Sequence, residues 1–395
     1  MRWAARCASP PSTDGTALAA AALLPGYYLG LMSGTSMDAV DAVLAVAGAE
    51  TFRVHAARAE PLPGPVAERL RRLAMPGPAD PAGPDPVDEL GELDRLVGEL
   101  FAAAATGLLA AAGVAAGEVR AIGSHGQTLR HRPRSPHPFT LQVGDPNLVA
   151  EHTGIPVVAD FRRRDLALGG QGAPLVPAFH AAVFADPQEY RAVLNLGGIA
   201  NLTLLPPGEA VTGFDTGPAN TLLDAWARRH LGTPCDEDGR WAASGRVDET
   251  LLQRLLGHPF LALPAPKSTG PEEFSPAWLD AELAALGHAP APADVQATLA
   301  EFTARTVADA LAPRPPARLV ACGGGAHNPH LMARLGALLP GTRVESSAAY
   351  SIDPGHVEAA AFAWLAARTL AGLPGNLPSV TGARRAAVLG AVWPA

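Results

Sequence analysis

Tyr27-Tyr-Leu-Gly-Leu-Met-Ser-Gly-Thr-Ser-Met-Asp-Ala-Val-Asp-Ala-Val-Leu-Ala-Val46 reads as an apolar strand, a glycine turn and a second apolar strand. The same phrase returns at Val193-Leu-Asn-Leu-Gly-Gly-Ile-Ala-Asn-Leu-Thr-Leu-Leu205. A chain that opens two sets of elements with similar hairpins predicts two similar lobes facing one another. Its length agrees, because 395 residues exceed the roughly 250–300 at which one hydrophobic core usually stops growing. Strand-like runs at Val119–Gly123, Gly154–Asp160 and Arg318–Cys322 alternate with helical patterns at 88–101, 294–311 and 356–371, which is the signature of an α/β chain. The expected division is a disordered tail over 1–26, an N-terminal lobe over 27–157 and a C-terminal lobe over 158–395, with room for the last helix to pack back on the first lobe.

Composition narrows the function classes. Hydrophobic residues make up 48% and charged residues 17% of the chain, too apolar for a disordered protein. The 30 basic and 38 acidic residues give a net charge of −8, which offers no broad attraction to nucleic acid or to anionic lipid. Cys7, Cys235 and Cys322 are far apart and form no Cys-x-x-Cys pair, so neither a disulfide framework nor a zinc site is expected and a reducing cytoplasm fits. The uncharged stretch Phe101 to Gly117 is shorter than the ~20 residues of a membrane span and reads as a helix of a soluble protein. Residues 1–25 loosely imitate a secretion signal, but a polar, proline-containing segment separates Arg2 and Arg6 from the alanine-rich run. Lys267 is the only lysine and follows Pro266, so the Gly-x-x-x-x-Gly-Lys-Ser/Thr phosphate loop is absent; no Gly-x-Gly-x-x-Gly is present either.

Four segments carry chemistry. In Gly34-Thr35-Ser36-Met37-Asp38-Ala39-Val40-Asp41 a glycine turn, two hydroxyls and a carboxylate suit a phosphate wrapped by backbone N–H groups, with Asp38 holding hydrated magnesium; an ordinary polar hairpin turn uses the same residues. Gly197, Gly198 and Asn201 of the second hairpin admit the same two readings. Asp215, in Gly213-Phe-Asp-Thr-Gly-Pro-Ala-Asn220, stands where a strand gives way to a turn and a helix; it is typed as a general base or as the cap of that helix, a task Asn220 could take instead. In Cys322-Gly-Gly-Gly-Ala-His-Asn328 three glycines let a flat ring or a phosphate lie on the backbone, whereas close helix–strand packing needs one small residue.

Two further segments are dense in donors and glycine, as expected of loops lining a sugar site: Gly123-Ser-His125-Gly-Gln127-Thr128 and Gly169-Gly-Gln171-Gly-Ala-Pro174. The run Arg162-Arg163-Arg164 suits a substrate carboxylate, and also suits a solvated surface cluster. His327 and His330 lack the spacing of a metal pair and a third ligand.

In order, Gly30–Asp41, Gly123–Thr128, Val158–Asp165 through Gly169–Pro177, Leu194–Asn201, Gly213–Asn220, Lys267-Ser-Thr-Gly, Cys322–Asn328 and Val357-Glu-Ala359 resemble the anhydro-N-acetylmuramic acid kinase family, over about residues 27–393. The resemblance implies a two-lobed actin-like ATPase (ribonuclease H-like) fold with ATP in the cleft between lobes. It implies that 1,6-anhydro-N-acetylmuramic acid, a product of cell-wall turnover, is opened by water and phosphorylated on O6 at the expense of ATP. By the same resemblance Asp215 activates the water. Gly34 to Asp41, with Gly197, Gly198 and Asn201, meet the ATP phosphates, and Asp38 holds Mg2+ through water. Gly323, Gly324, Gly325 and Asn328 meet the nucleoside, while His125, Gln127, Gln171 and Glu358 lie on the sugar side. Arg164 is our own assignment, from the arginine cluster, for the lactyl carboxylate. A cytoplasmic homodimer acting on a small sugar, with no nucleic-acid or membrane partner, completes the expectation. Ala39 stands where that family generally has Gly, and Pro271 where Arg is common; Gly355-His356 is an unusual pair before Val-Glu-Ala. Two rivals remain: a kinase of another amino sugar, and an ATP-gated binding protein of the actin or chaperone type, for whose peptide-binding region the chain has little room.

Overall fold

The computed structural model describes residues 23–34, 36–49, 51–74, 84–270 and 272–395. Thr35, Pro271 and all but the end of the 1–26 segment lie outside the described residues. The first hairpin forms β1 (Gly26–Ser33) and β2 (Ala39–Ala47), and β3 (Phe52–Pro61) extends it antiparallel. β4 (Val119–Arg132) adds parallel to β1 on the other side, and β6 (Val157–Ala159) adds parallel to β4. β5 (Phe139–Val143) pairs with the far half of β4. The second hairpin repeats the plan: β7 (Arg191–Leu196), β8 (Ile199–Leu205) and β9 (Thr212–Pro218) are antiparallel, β10 (Arg318–Cys322) runs parallel to β7, and β11 (Arg343–Ser346) parallel to β10. The sheet orders are therefore β12-β6-β4-β1-β2-β3 and β11-β10-β7-β8-β9, with β12 (Ala391–Trp393) antiparallel to β6. Apart from β5 and β12 they are the same five-strand topology twice, so the echo of the two hairpins in the sequence is an echo of two whole lobes.

Period-2 alternation explains how the first sheet is covered on both faces. Val40, Ala42 and Leu44 of β2 pack under the helix Pro86–Ala112, which presents Leu93, Val97, Phe101, Ala105 and Leu108. Asp85 caps that helix by accepting from Val87 N–H at 2.8 Å, and Gly113 ends it in the left-handed conformation. It is the one described helix long and apolar enough to cross a membrane, yet these side chains are fully buried against the sheet. Val43 and Ala45 point the other way, into a cluster built around the helix Val357–Leu370.

That helix touches the first sheet at its glycines. A Cβ on Gly30 would overlap the carbonyl oxygen of Ala359, and one on Gly123 that of Phe362. The cluster around the helix also contains Val193, Leu205, Val320 and Cys322 of the second lobe. One apolar core thus runs through both lobes, in addition to the separate cores under each sheet.

Two local expectations are corrected. Gly123–Thr128 is not a loop: it lies inside β4, which continues to Arg132 because β5 supplies it with a partner, and Gly126 (φ 72°) sits at the register shift in the β1–β4 pairing, just before β5 takes over. Asp215 does not mark the end of a strand either. It sits within β9 opposite Asn201, beside a register shift, and the strand runs on to Pro218.

Candidate active site

Asp215 is held from a second segment. Its N–H donates to the carbonyl of Lys267 at 3.0 Å, while its Oδ2 accepts from Ser268 Oγ at 3.1 Å and from Thr269 N–H at 2.9 Å. Oδ1 takes no hydrogen bond from the described residues, so one oxygen is fixed and the other left for a ligand. Burial pushes the carboxyl above its ordinary range; the Thr269 N–H, the Ser268 hydroxyl and the Lys267 ammonium pull it part of the way back. Lys267 is anchored by the carbonyls of Phe260 (3.2 Å) and Leu261 (2.8 Å), with Nζ 4.7 Å from the centre of the Phe260 ring. The alternative reading of Asp215 as a helix cap fails. The helix Asn220–Leu231 has Ala219 at its cap position, and the N–H groups of Ala219, Asn220 and Thr221 donate to the carbonyls of Gly198, Gly197 and Gly198 in the β7–β8 turn. Asn220 itself donates to Leu196 O at 2.9 Å.

The triple glycine is explained differently from the expectation. Gly323 (φ 79°) lies against Asn195 and Leu196, and a Cβ on Gly325 would stand 2.8 Å from Leu196 Cβ, so packing on the β7–β8 turn requires two small residues and not one. Only Gly324 presents open backbone, with Asn220 Nδ2 3.7 Å from where its Cβ would be. Asn328 caps the helix Pro329–Leu338 by accepting from Leu331 N–H at 3.0 Å.

In the first hairpin turn Met37 adopts φ 55° and is buried, and its N–H donates to Gly34 O at 3.2 Å. Asp38 is exposed, with Arg71 Nη2 3.5 Å away; the same nitrogen donates to the carbonyls of Ser36 (3.1 Å) and Met37 (3.3 Å). Ala39, Val40 and Asp41 already belong to β2. Burial raises the Asp41 carboxyl, with His356 opposing and Asp353 adding to it. Asp224, on the Asn220–Leu231 helix of the second lobe, is a residue the sequence did not single out: burial and the charge of Asp38, against Arg228, push it up to about 6.

On the substrate side the structure sorts the arginines. Arg164 is exposed on the short helix Arg163–Ala167 and has no side-chain partner among the described residues. The inward member is Arg162, whose Nε and Nη2 meet His125 Nε2 at 3.0 and 2.8 Å and whose Nη1 donates to Gly172 O at 2.8 Å. His125 is buried, with Nδ1 2.9 Å from Gly126 O and its ring 4.6 Å from that of Phe362. Burial and Arg162 hold it well below the usual imidazole range, so it is neutral with both nitrogens engaged. Gln127 is buried, its Nε2 donating to Thr128 O and its Oε1 without a partner among the described residues. Gln171 is exposed, its N–H bonded to Thr381 O at 2.8 Å.

Two cavities flank this cluster. One of about 180 Å³ is lined by Asp94, Ser124, His125, Asp160, Arg163 and Trp393. The other, about 70 Å³, lies on the second-lobe side of the Val357–Leu370 helix and is lined by His180, Asn195, Asn201, Cys322 and Glu358. Burial raises the Glu358 carboxyl, Arg162 opposing and Asp41 adding. Ser124 Oγ and His180 Nε2 are buried without partners among the described residues. Neither was singled out from sequence, because a buried polar group aimed at a cavity carries no local pattern.

Two lobes of one repeated five-strand topology, joined through a shared core around the Val357–Leu370 helix, define the two-lobed ribonuclease H-like class to which sugar kinases belong. The family profile described as anhydro-N-acetylmuramic acid kinase matches residues 26–395. An anhydro-N-acetylmuramic acid kinase of Xanthomonas campestris pv. campestris (strain 8004) is 56% identical over 373 residues, covering 93% of this chain and 97% of that protein. One of Shewanella halifaxensis (strain HAW-EB4) is 53% identical over 371 residues, with 93% and 99% covered. The chain belongs to the anhydro-N-acetylmuramic acid kinase family and is a kinase. Among solved structures, component A of the Acidaminococcus fermentans (R)-2-hydroxyglutaryl-CoA dehydratase aligns over 87% of this chain and 98% of its own, with 15% identity and a TM-score of 0.44. The ROK hexokinase of Thermus thermophilus aligns over 86% and 99%, with 15% identity and a TM-score of 0.35.

Proposed function

We propose that the chain opens 1,6-anhydro-N-acetylmuramic acid with water and transfers the γ-phosphoryl group of ATP to the freed O6, giving N-acetylmuramic acid 6-phosphate and ADP in the recycling of cell-wall sugars. The observation that carries the mechanism is the asymmetric anchoring of Asp215: Oδ2 is occupied by Ser268 and Thr269, and Oδ1 takes no hydrogen bond from the described residues. Oδ1 takes a proton from water as the water oxygen bonds to the anomeric carbon. The C1–O6 bond breaks, and O6 attacks the γ-phosphorus as ADP leaves. Raising the carboxyl by burial brings its proton affinity nearer to what a general base at neutral pH needs.

Phosphate charge falls to the first hairpin turn and to Gly197, Gly198 and Asn201 of the second, with Gly324 the open backbone toward the nucleoside. A magnesium ion, held through water by the exposed carboxylate of Asp38, would screen the phosphate charge when bound. The 180 Å³ cavity, with Arg163 on its wall and Arg162 behind His125, is the better candidate than Arg164 for the end of the sugar that carries the lactyl carboxylate. Free Cys235 and Cys322 suit a reducing compartment, and a cytoplasmic homodimer goes with the reading.

The test is incubation with MgATP and the anhydro sugar in ¹⁸O-labelled water, followed by mass spectrometry. Label at the anomeric hydroxyl together with a new phosphate is expected. ADP release with no sugar product would overturn the proposal in favour of an ATP-gated binding protein.

A further inference from the structure

The C-terminal segment does more than end the chain. Asp165 is fully buried, and its carboxylate is shared between two parts of the sequence. Oδ2 accepts from Gly172 N–H at 2.8 Å, while Oδ1 accepts from Asn376 Nδ2 at 2.6 Å and from Thr381 Oγ1 at 2.8 Å. Around this point the loop and the C-terminal segment are laced by backbone: Gln171 N–H donates to Thr381 O at 2.8 Å and Arg384 N–H to Leu168 O at 3.0 Å. A Cβ on Gly170 would overlap the Asp165 carboxylate and stand 2.9 Å from Ala383 Cβ, so the two segments are in direct contact. Asn376 is itself locked, its Oδ1 accepting from Ala387 N–H at 2.7 Å.

The loop so held is the one whose Gly172 carbonyl receives Arg162, which in turn grips His125 on the cavity wall. The brace reaches both neighbours of the site. Downstream of it β12 pairs with β6, the strand that leads into Asp160, and Trp393 lines the same cavity. Upstream, Val380 lies 3.7 Å from where a Cβ on Gly213 would be, on the strand that carries Asp215.

We infer that Asn376 and Thr381 are positioning residues, which through Asp165 fix the Arg162–Gly172 loop against the cavity wall and so set affinity for the sugar but not for the nucleotide. The inference rests on the sugar-kinase reading. A buried carboxylate needs all its donors, and losing one loosens the loop that carries it rather than any group on the nucleotide side. Thr381→Val, which keeps shape and removes only the hydroxyl, is expected to raise KM and the calorimetric Kd for the anhydro sugar by about tenfold. KM for ATP should not move, and Thr381→Ser should restore the wild-type sugar affinity.

The same assays separate the possible failures. Wild-type enzyme that forms no ADP in response to the anhydro sugar would remove the kinase reading itself. A wild-type response with Thr381→Val unchanged in sugar affinity would remove the positioning role, whatever the melting temperature does. So would a parallel rise in KM for sugar and ATP, which marks a general loosening. Where Thr381→Val does not fold, Asn376→Ser, a smaller donor at the same place, is measured in its stead: a raised sugar Kd with unchanged ATP affinity supports the role, and an unchanged sugar Kd overturns it.

Discussion

At the scale of single residues, the carboxylate that matters is recognisable by type, but its orientation comes from elsewhere in the chain. Ser268 and Thr269 bind one oxygen of Asp215 from a segment more than fifty positions downstream, and no spacing rule joins them. Asp215→Asn is expected to lower turnover by something like 10²–10⁴, the range for loss of a positioned base, with ATP affinity unchanged by calorimetry. Ser268→Ala removes a donor to the ionised form, so the carboxyl pKa rises further. The base is active when deprotonated, hence the acid limb of the kcat/KM profile should move to higher pH; Lys267 is the one charged group acting on the carboxyl and stays in place. An acid limb that stays or moves down would show that Ser268 does not tune the base. The arginine triplet illustrates why residue type alone misleads. Asp160 adopts φ 58° after β6, and beyond that turn Arg162 faces inward while Arg164 faces solvent. Three identical neighbours offer no periodicity from which to choose.

At the scale of elements, the strands β1, β2, β7, β8 and β10 were legible because apolar runs bounded by glycine turns have few alternatives. β4 was legible only to Gly123, since its continuation depends on pairing with β5, a non-local contact that leaves no mark in the strand itself. Gly30 and Gly123 look like turn or flexibility residues in sequence, yet each is the footprint of the helix Val357–Leu370. Alanine at either would force that helix off the sheet, an overpacking cost of about 1–3 kcal/mol or more. Gly91, in the interior of the helix Pro86–Ala112, gives the opposite sign: nothing lies within 4 Å of its Cβ direction. Gly91→Ala should therefore stabilise by about 0.5–1 kcal/mol through helix propensity and chain entropy. Denaturant midpoints of the three variants check the pair of signs, and a destabilised Gly91→Ala or an unaffected Gly30→Ala would contradict the packing described.

At the scale of the whole molecule, the repeated hairpin is enough to read two lobes, but not how strongly they are joined. Two lobes linked only by peptide would unfold as two units, because each sheet has its own core. Here Tyr28, Val43 and Ala121 of the first lobe and Val193, Leu205 and Val320 of the second pack into one cluster around the Val357–Leu370 helix. Unfolding either sheet exposes one side of that helix and removes part of the other lobe's core, so neither lobe keeps its stability alone. The expected outcome is a single cooperative thermal transition, with calorimetric and van't Hoff enthalpies in agreement. Because the first turn of the helix, Val357 and Glu358, lies on the wall of the 70 Å³ cavity, a ligand that binds there should move that one transition upward as a whole. Two resolved transitions, only one of them shifted by the anhydro sugar, would mean that the shared cluster does not couple the lobes and that closure around the substrate is free to occur without disturbing the core.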